Sequence, residues 1–159
     1  MFARSGGVWT QQGDKLVGTG AVGFAAQGRS VALSADGNTA IVSGPDDDPS
    51  IVDPSSVTGA LWVFTRSSLG LWTQQGDKLV GTGAVGFAAQ GTSVSLSADG
   101  NTAIVGGPGD NSPAPQSHVG AAWIFVRLTK ADCKNGGWRN FPAPPAPFRN
   151  QGQCLSFAQ

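Results

Sequence analysis

The chain is short of charge and of the residues that carry most enzymatic chemistry. Only 13% of its 159 residues are charged, with ten basic and ten acidic, so the formal net charge is zero. This removes the electrostatic term that dominates nonspecific nucleic-acid binding, and no DNA or RNA partner is expected. No apolar run approaches the ~20 residues that a membrane-spanning helix needs, so membrane insertion is not expected. Residues 1–9 (MFARSGGVW) lack the charged and apolar regions of an export signal. If the protein is exported, its signal lies outside this chain. The one histidine, His118, sits in a variable stretch, and nothing assembles a nucleophile, a base and an orienting group around it. A glycosidase needs two carboxylates facing one cleft, whereas Asp14, Asp77, Asp36 and Asp99 read as surface and turn residues. The expectation is a non-enzymatic chain without a cofactor, and a glycan-directed enzyme fragment is the more distant alternative. The two cysteines, without a nearby histidine or third cysteine, do not make a zinc site.

What is abundant is glycine and proline, 24 and 10 residues, and repetition. Residues 9–45 (WTQQGDKLVGTGAVGFAAQGRSVALSADGNTAIVSGP) return as residues 72–108, and only Arg29, Ala32 and Ser43 are replaced, by Thr92, Ser95 and Gly106. No apolar run keeps a 3.6-residue period, so an all-β repeat array is expected. Four strands are predicted per unit. Residues 30–34 (SVALS) alternate, with Val31 and Leu33 on one face, and end at Asp36-Gly37, a hairpin signal because a turn that matches strand twist needs positive φ at its centre. Residues 39–43 (TAIVS) and 60–66 (ALWVFTR) are apolar on both faces and need cover on both. Residues 72–80 (WTQQGDKLV) are more polar and suit an outermost strand. The second unit repeats the order at 93–97, 102–106 and 121–127. The loop at 46–58 is two residues longer than its copy at 109–119 and is the one variable part, read either as a candidate contact surface or as drift in an unconstrained loop.

The organisation expected is therefore a remnant of a preceding blade strand at 1–8, a first repeat at 9–71, a second at 72–130 and a cysteine-containing tail at 131–159. Phe2-Ala3-Arg4 stands before Trp9 much as Phe64-Thr65-Arg66 stands before Trp72. The chain then begins partway through a strand, either as a piece of a longer array or with a leading outer strand that completes a blade elsewhere.

The order of a Gly-Ser-Val strand, an Asp-Gly turn, an apolar strand ending in Gly-Pro and an aromatic strand introduced by Gly resembles the FG-GAP repeat of integrin-type β-propellers. It is most similar to the bacterial form carrying SVALSADGNTAIVGGP and WVFTR, and the likeness covers residues 9 to about 127. The resemblance implies β-propeller blades of four antiparallel strands, about two of them in a partial ring. Calcium-binding members carry an Asp-rich loop between the first two strands. Here that link is only 34–38 and its copy 97–101, and one carboxylate cannot supply the six to eight oxygens that calcium takes. The tail, DCKNGGWRNF to FRNQGQCLSF, resembles a C-terminal cysteine motif of bacterial extracytoplasmic proteins, which implies a secreted or cell-surface location.

Cys133 and Cys154 are read as a disulfide closing a loop that stabilises the fold by roughly 3 kcal/mol in the chain-entropy model; two free buried thiols are the alternative. Asp46, Asp47 and Asp48, with Asp53, are weak metal candidates, and a solvated loop is the competing reading. Trp9, Trp72, Trp62 and Trp123 are ligand-binding candidates through stacking on sugars, although blade packing also demands them. Two blades with bare apolar faces would leave many kcal/mol of burial unrealised at about 25 cal/mol per Å². The partners expected are further copies in a homo-oligomer or neighbouring blades of a longer array, with a glycan or a cell-surface protein as ligand. A lectin-like propeller with sites between blades is the sharper alternative to a structural module.

Overall fold

The computed structural model describes residues 2–47, 57–111 and 119–134. The chain divides into two compact units, Met1–Ile124 and Phe125–Gln159. The described residues form nine strands and no helix: β1 (Phe2–Ser5), β2 (Val8–Gln11), β3 (Val31–Leu33), β4 (Thr39–Gly44), β5 (Ala60–Arg66), β6 (Trp72–Gln74), β7 (Ser93–Leu96), β8 (Thr102–Gly107) and β9 (Ala121–Val126). They build three antiparallel sheets, β1-β2, β3-β4-β5-β6 and β7-β8-β9. The all-β class follows from the repeat, and the four strands expected at 30–34, 39–43, 60–66 and 72–80 pair as one sheet, β3-β4-β5-β6.

The strand pairs explain the apolar pattern. Val31 opposes Val42, which opposes Trp62, and Leu33, Ala40, Phe64 and Gln74 form the next row. Because side chains alternate between faces, one face of this sheet carries Val42, Trp62 and Phe64 and the other carries Ile41, Leu61 and Val63. The first face packs under the segment that precedes β3: Ala25, Ala40, Ala60, Trp62 and Phe64 form one buried cluster, with Leu16, Val42 and Trp72 against it. Glycine is required there for proximity. A Cβ at Gly44 would stand 2.7 Å from Trp62 Cζ3 and 2.6 Å from the Ala25 carbonyl oxygen, and at Gly107 the distances to Trp123 and Ala88 are 2.6 and 2.7 Å.

Two expectations change in detail. The polar strand foreseen at 72–80 stops at Gln74; the backbone bulges away from β5 and rejoins its edge at Leu79, which exchanges two hydrogen bonds with Leu61 of 2.8 and 3.0 Å. The β3–β4 turn has positive φ at Gly37 alone, 69°, with Asp36 outside that region. The connection is longer than a two-residue hairpin, since Ser34 N–H donates to the Thr39 carbonyl at 2.9 Å, and the side chain of Ser34 organises it.

The pair β1-β2 repeats the outer half of the four-stranded sheet in register: Phe2, Ala3 and Arg4 oppose Gln11, Thr10 and Trp9 as Phe64, Thr65 and Arg66 oppose Gln74, Thr73 and Trp72. In the second unit, Thr129 and Asp132 close a turn through Thr129 N–H and Oγ1, which donate to the Asp132 carboxylate at 2.8 and 2.6 Å.

Candidate functional site

The most developed polar and apolar arrangement lies where the two repeats meet. Residues 78–100 of the second repeat cover the Ile41 face of the first sheet. Gln90 N–H donates to Thr58 O at 2.8 Å, Ala89 N–H to Val57 O at 3.1 Å, and Ala35 N–H to Ala98 O at 2.9 Å. Val94 N–H donates to Ser30 Oγ at 3.1 Å. A Cβ at Gly91 would lie 2.8 Å from Ser43 Cβ, and one at Gly100 would lie 2.8 Å from Thr39 Oγ1, whereas at the copies Gly28 and Gly37 nothing stands within 4 Å. Among the described residues, the Ile41 side of the first repeat meets the Gly91 and Gly100 side of the second, and the copies of these two surfaces meet no other repeat. Ile41 is 2% exposed, while its copy Ile104 is 48% exposed and Ile124, the copy of Val63, is 67% exposed.

Two buried polar side chains organise this region; sequence reasoning missed Gln90 and read Asp47 only as a weak metal candidate. Gln90 is fully buried and clamps one residue twice: Gly81 N–H donates to Oε1 at 2.7 Å and Nε2 donates to Gly81 O at 2.9 Å. Gln27 makes the same clamp on Gly18 at 2.7 and 2.8 Å, but is partly exposed. The only sequence signal was their identity in both copies. Asp47 is the second. Its Oδ1 accepts Val22 N–H at 2.7 Å and its Oδ2 pairs with Lys78 Nζ, which reaches across from the second repeat.

The acidic candidates thus separate. Asp46 is exposed, Asp47 is buried and fully engaged with Val22 and Lys78, and Asp48 and Asp53 lie outside the described residues. Among the described residues, no three His, Cys, Asp or Glu side chains converge in a way that holds a metal ion. The turn carboxylates are also committed. Asp36 Oδ1 accepts from Ser34 Oγ at 2.6 Å and Asn38 N–H at 2.9 Å, and Asp99 repeats this with Ser97 and Asn101 at 2.5 and 3.0 Å. The serine hydroxyl first, and the asparagine backbone and side-chain amides after it, hold both carboxyls below the usual aspartate range.

The four tryptophans do not form one site. Trp62 is fully buried and its Nε1–H donates to Thr19 O at 2.7 Å; Trp123 is partly buried and donates to Thr82 O at 3.0 Å. Both indoles are packing elements of their repeats. Trp72 lies under Arg66, whose guanidinium carbon stands 5.8 Å from the ring centroid, and Trp9 is 64% exposed. Cys133 is buried and is not a free thiol, whereas Cys154, its expected partner, and His118 and Trp138 fall outside the described residues. In comparison with known proteins, the chain matches no family model and no curated sequence.

Proposed function

We propose that this chain is a non-enzymatic repeat module of the secreted or cell-surface space that works by assembly, its repeats being FG-GAP-like propeller blades that complete a stack by self-association or within a longer array. One observation carries this. Inside the chain the second repeat covers the Ile41 face of the first sheet, and the copies of both contacting surfaces, around Ile104 and around Gly28, stand open among the described residues. Exposed apolar residues on such surfaces mark interaction sites. The buried, non-free Cys133 supports an oxidising compartment and pairing with Cys154. Light scattering coupled to size exclusion, run from about 1 to 100 µM protein, is expected to show a mass that rises above the 16.1 kDa of one chain. A soluble monomer across that range overturns the proposal. The lectin-like alternative is favoured by Trp9 alone, which is exposed, and predicts quenching of its fluorescence by a glycan panel that is lost in Trp9→Ala.

A further inference from the structure

We propose that the open face of the second repeat takes the amino-terminal repeat of a second copy, head to tail, with strand β2 of the incoming copy laid along the free edge of β9. This rests on the assembly reading above and specifies its geometry. The strand inventory leads to it. In the first sheet the outer position beside β5 is filled by β6, whereas β9, the copy of β5, is the edge of its sheet among the described residues. Residues 9–11, the β2 residues Trp9, Thr10 and Gln11, are identical to Trp72, Thr73 and Gln74 of β6. An edge strand presents unpaired N–H and C=O groups in the register that such a copy reads.

The residues that follow β2 fit the same transfer. After β6 the chain bulges, Lys78 pairs with Asp47, Leu79 bridges Leu61, and Gln90 bridges Gly59. After β2 the corresponding residues are Lys15, Leu16 and Gln27, and the corresponding receivers on the second repeat are Asp110, Ala122 and Gly120. Asp110 is 2% exposed and accepts Val85 N–H at 2.7 Å as Asp47 accepts Val22, yet no basic side chain pairs with it among the described residues; its Oδ2 is held by Asn111 Nδ2 at 3.0 Å. Lys15 is exposed. Among the described residues, a buried carboxylate without its cation and an exposed lysine without its anion are thus the two halves of a pair that the chain makes once internally. The apolar parts agree, because Val31 is exposed on the donor side and Ile104 and Ile124 on the receiver side.

Docking in this register sets Lys15, Leu16 and Gln27 of the incoming copy against Asp110, Ala122 and Gly120 as Lys78, Leu79 and Gln90 meet Asp47, Leu61 and Gly59 inside the chain. Strand β1 then leaves β2. Its side chains are mostly exposed, so the exchange trades an exposed ladder for one on a packed sheet. The contact is heterologous: it uses different surfaces on the two copies and either closes a ring or propagates.

The test uses two full-length variants, each with one surface spoiled at exposed positions: Ile104→Asp on the receiver and Lys15→Glu with Val31→Asp on the donor. Each alone is expected to associate at least tenfold more weakly than the native chain. Mixed in equal amounts, they retain one good surface apiece and should form a 1:1 dimer that grows no further. Circular dichroism and tryptophan fluorescence matching the native chain show that each variant folds. If the native chain associates but the mixture yields no dimer, the head-to-tail register is wrong and assembly itself stands. If the native chain stays monomeric, both fall. Deleting residues 2–5 should tighten association by freeing β2, and a weaker association overturns the strand exchange.

Discussion

Replacing Gln90 by leucine tests the buried clamp inside the second repeat, in the segment laid against the first sheet. The side chain is fully buried and its amide satisfies both the N–H and the C=O of Gly81. Leucine fills a similar volume but leaves these two backbone groups without partners in a dry site. Each unsatisfied group costs about 1–3 kcal/mol, so the expected loss is roughly 2–5 kcal/mol, only slightly offset by the added apolar surface. Gln27→Leu is the internal control, since it removes the same two hydrogen bonds from Gly18 where Gln27 is partly exposed. Water can replace part of what is lost there, and about half the penalty is expected. Urea unfolding followed by tryptophan fluorescence at one fixed protein concentration measures both. At about 2–4 °C per kcal/mol for a chain of this size, the Gln90 variant should also melt on the order of 10 °C lower. A Gln90→Leu loss below about 0.5 kcal/mol, or a greater loss for Gln27→Leu, would refute the assignment of Gln90 as the buried clamp.

Two further outcomes follow from the geometry. Gly44→Ala puts a methyl group between the Trp62 ring and the Ala25 carbonyl, and overpacking should destabilise the fold by about 1–3 kcal/mol; a neutral result in chemical denaturation would show that the ring moves aside freely. The carboxyls of Asp36 and Asp99 titrate below their unfolded value, mainly through the Ser34 and Ser97 hydroxyls. Their stabilising contribution is complete above the unfolded aspartate value of about 3.9 and is lost as pH falls through the lower folded value. Between pH 5 and 2.5 the urea midpoint should therefore fall less steeply in an Asp36→Asn, Asp99→Asn double variant than in the native chain, and equal slopes would contradict the turn geometry.

How much of this was legible depends on whether a residue's partner leaves a pattern. The strands 39–43 and 60–66 emerge as β4 and β5 to within a residue, because an apolar run without helical period has few alternatives. The extent of β6 was overestimated: nothing in WTQQGDKLV marks the bulge between Gln74, where β6 ends, and Leu79, which returns to β5 at Leu61. Turn chemistry was half visible. Asp36-Gly37 announced a reversal, but the role of Ser34, which accepts Thr39 N–H and donates to Asp36, required coordinates. Gln90, and the partners of Asp47, were opaque for a physical reason. The partners of both residues include backbone amides, Gly81 and Val22, which are present at every position and so produce no signature. Trp62 showed that it would be needed for packing, but not that Thr19 would receive its indole proton.

Residues 72–91 belong to both halves of the architecture at once. Trp72, Thr73 and Gln74 finish the sheet of the first copy, and within a few positions Lys78, Leu79 and Gln90 become the lid that joins it to the second. The sequence period and the cooperative period are therefore out of phase. Severing the chain at the boundary of its written repeat would not yield two halves of equal standing: the leading half would lose its last strand, while the trailing half would keep a strand with no sheet to enter. Any duplication or loss of a repeat must carry this overlap intact, which ties neighbouring copies into a single melting unit.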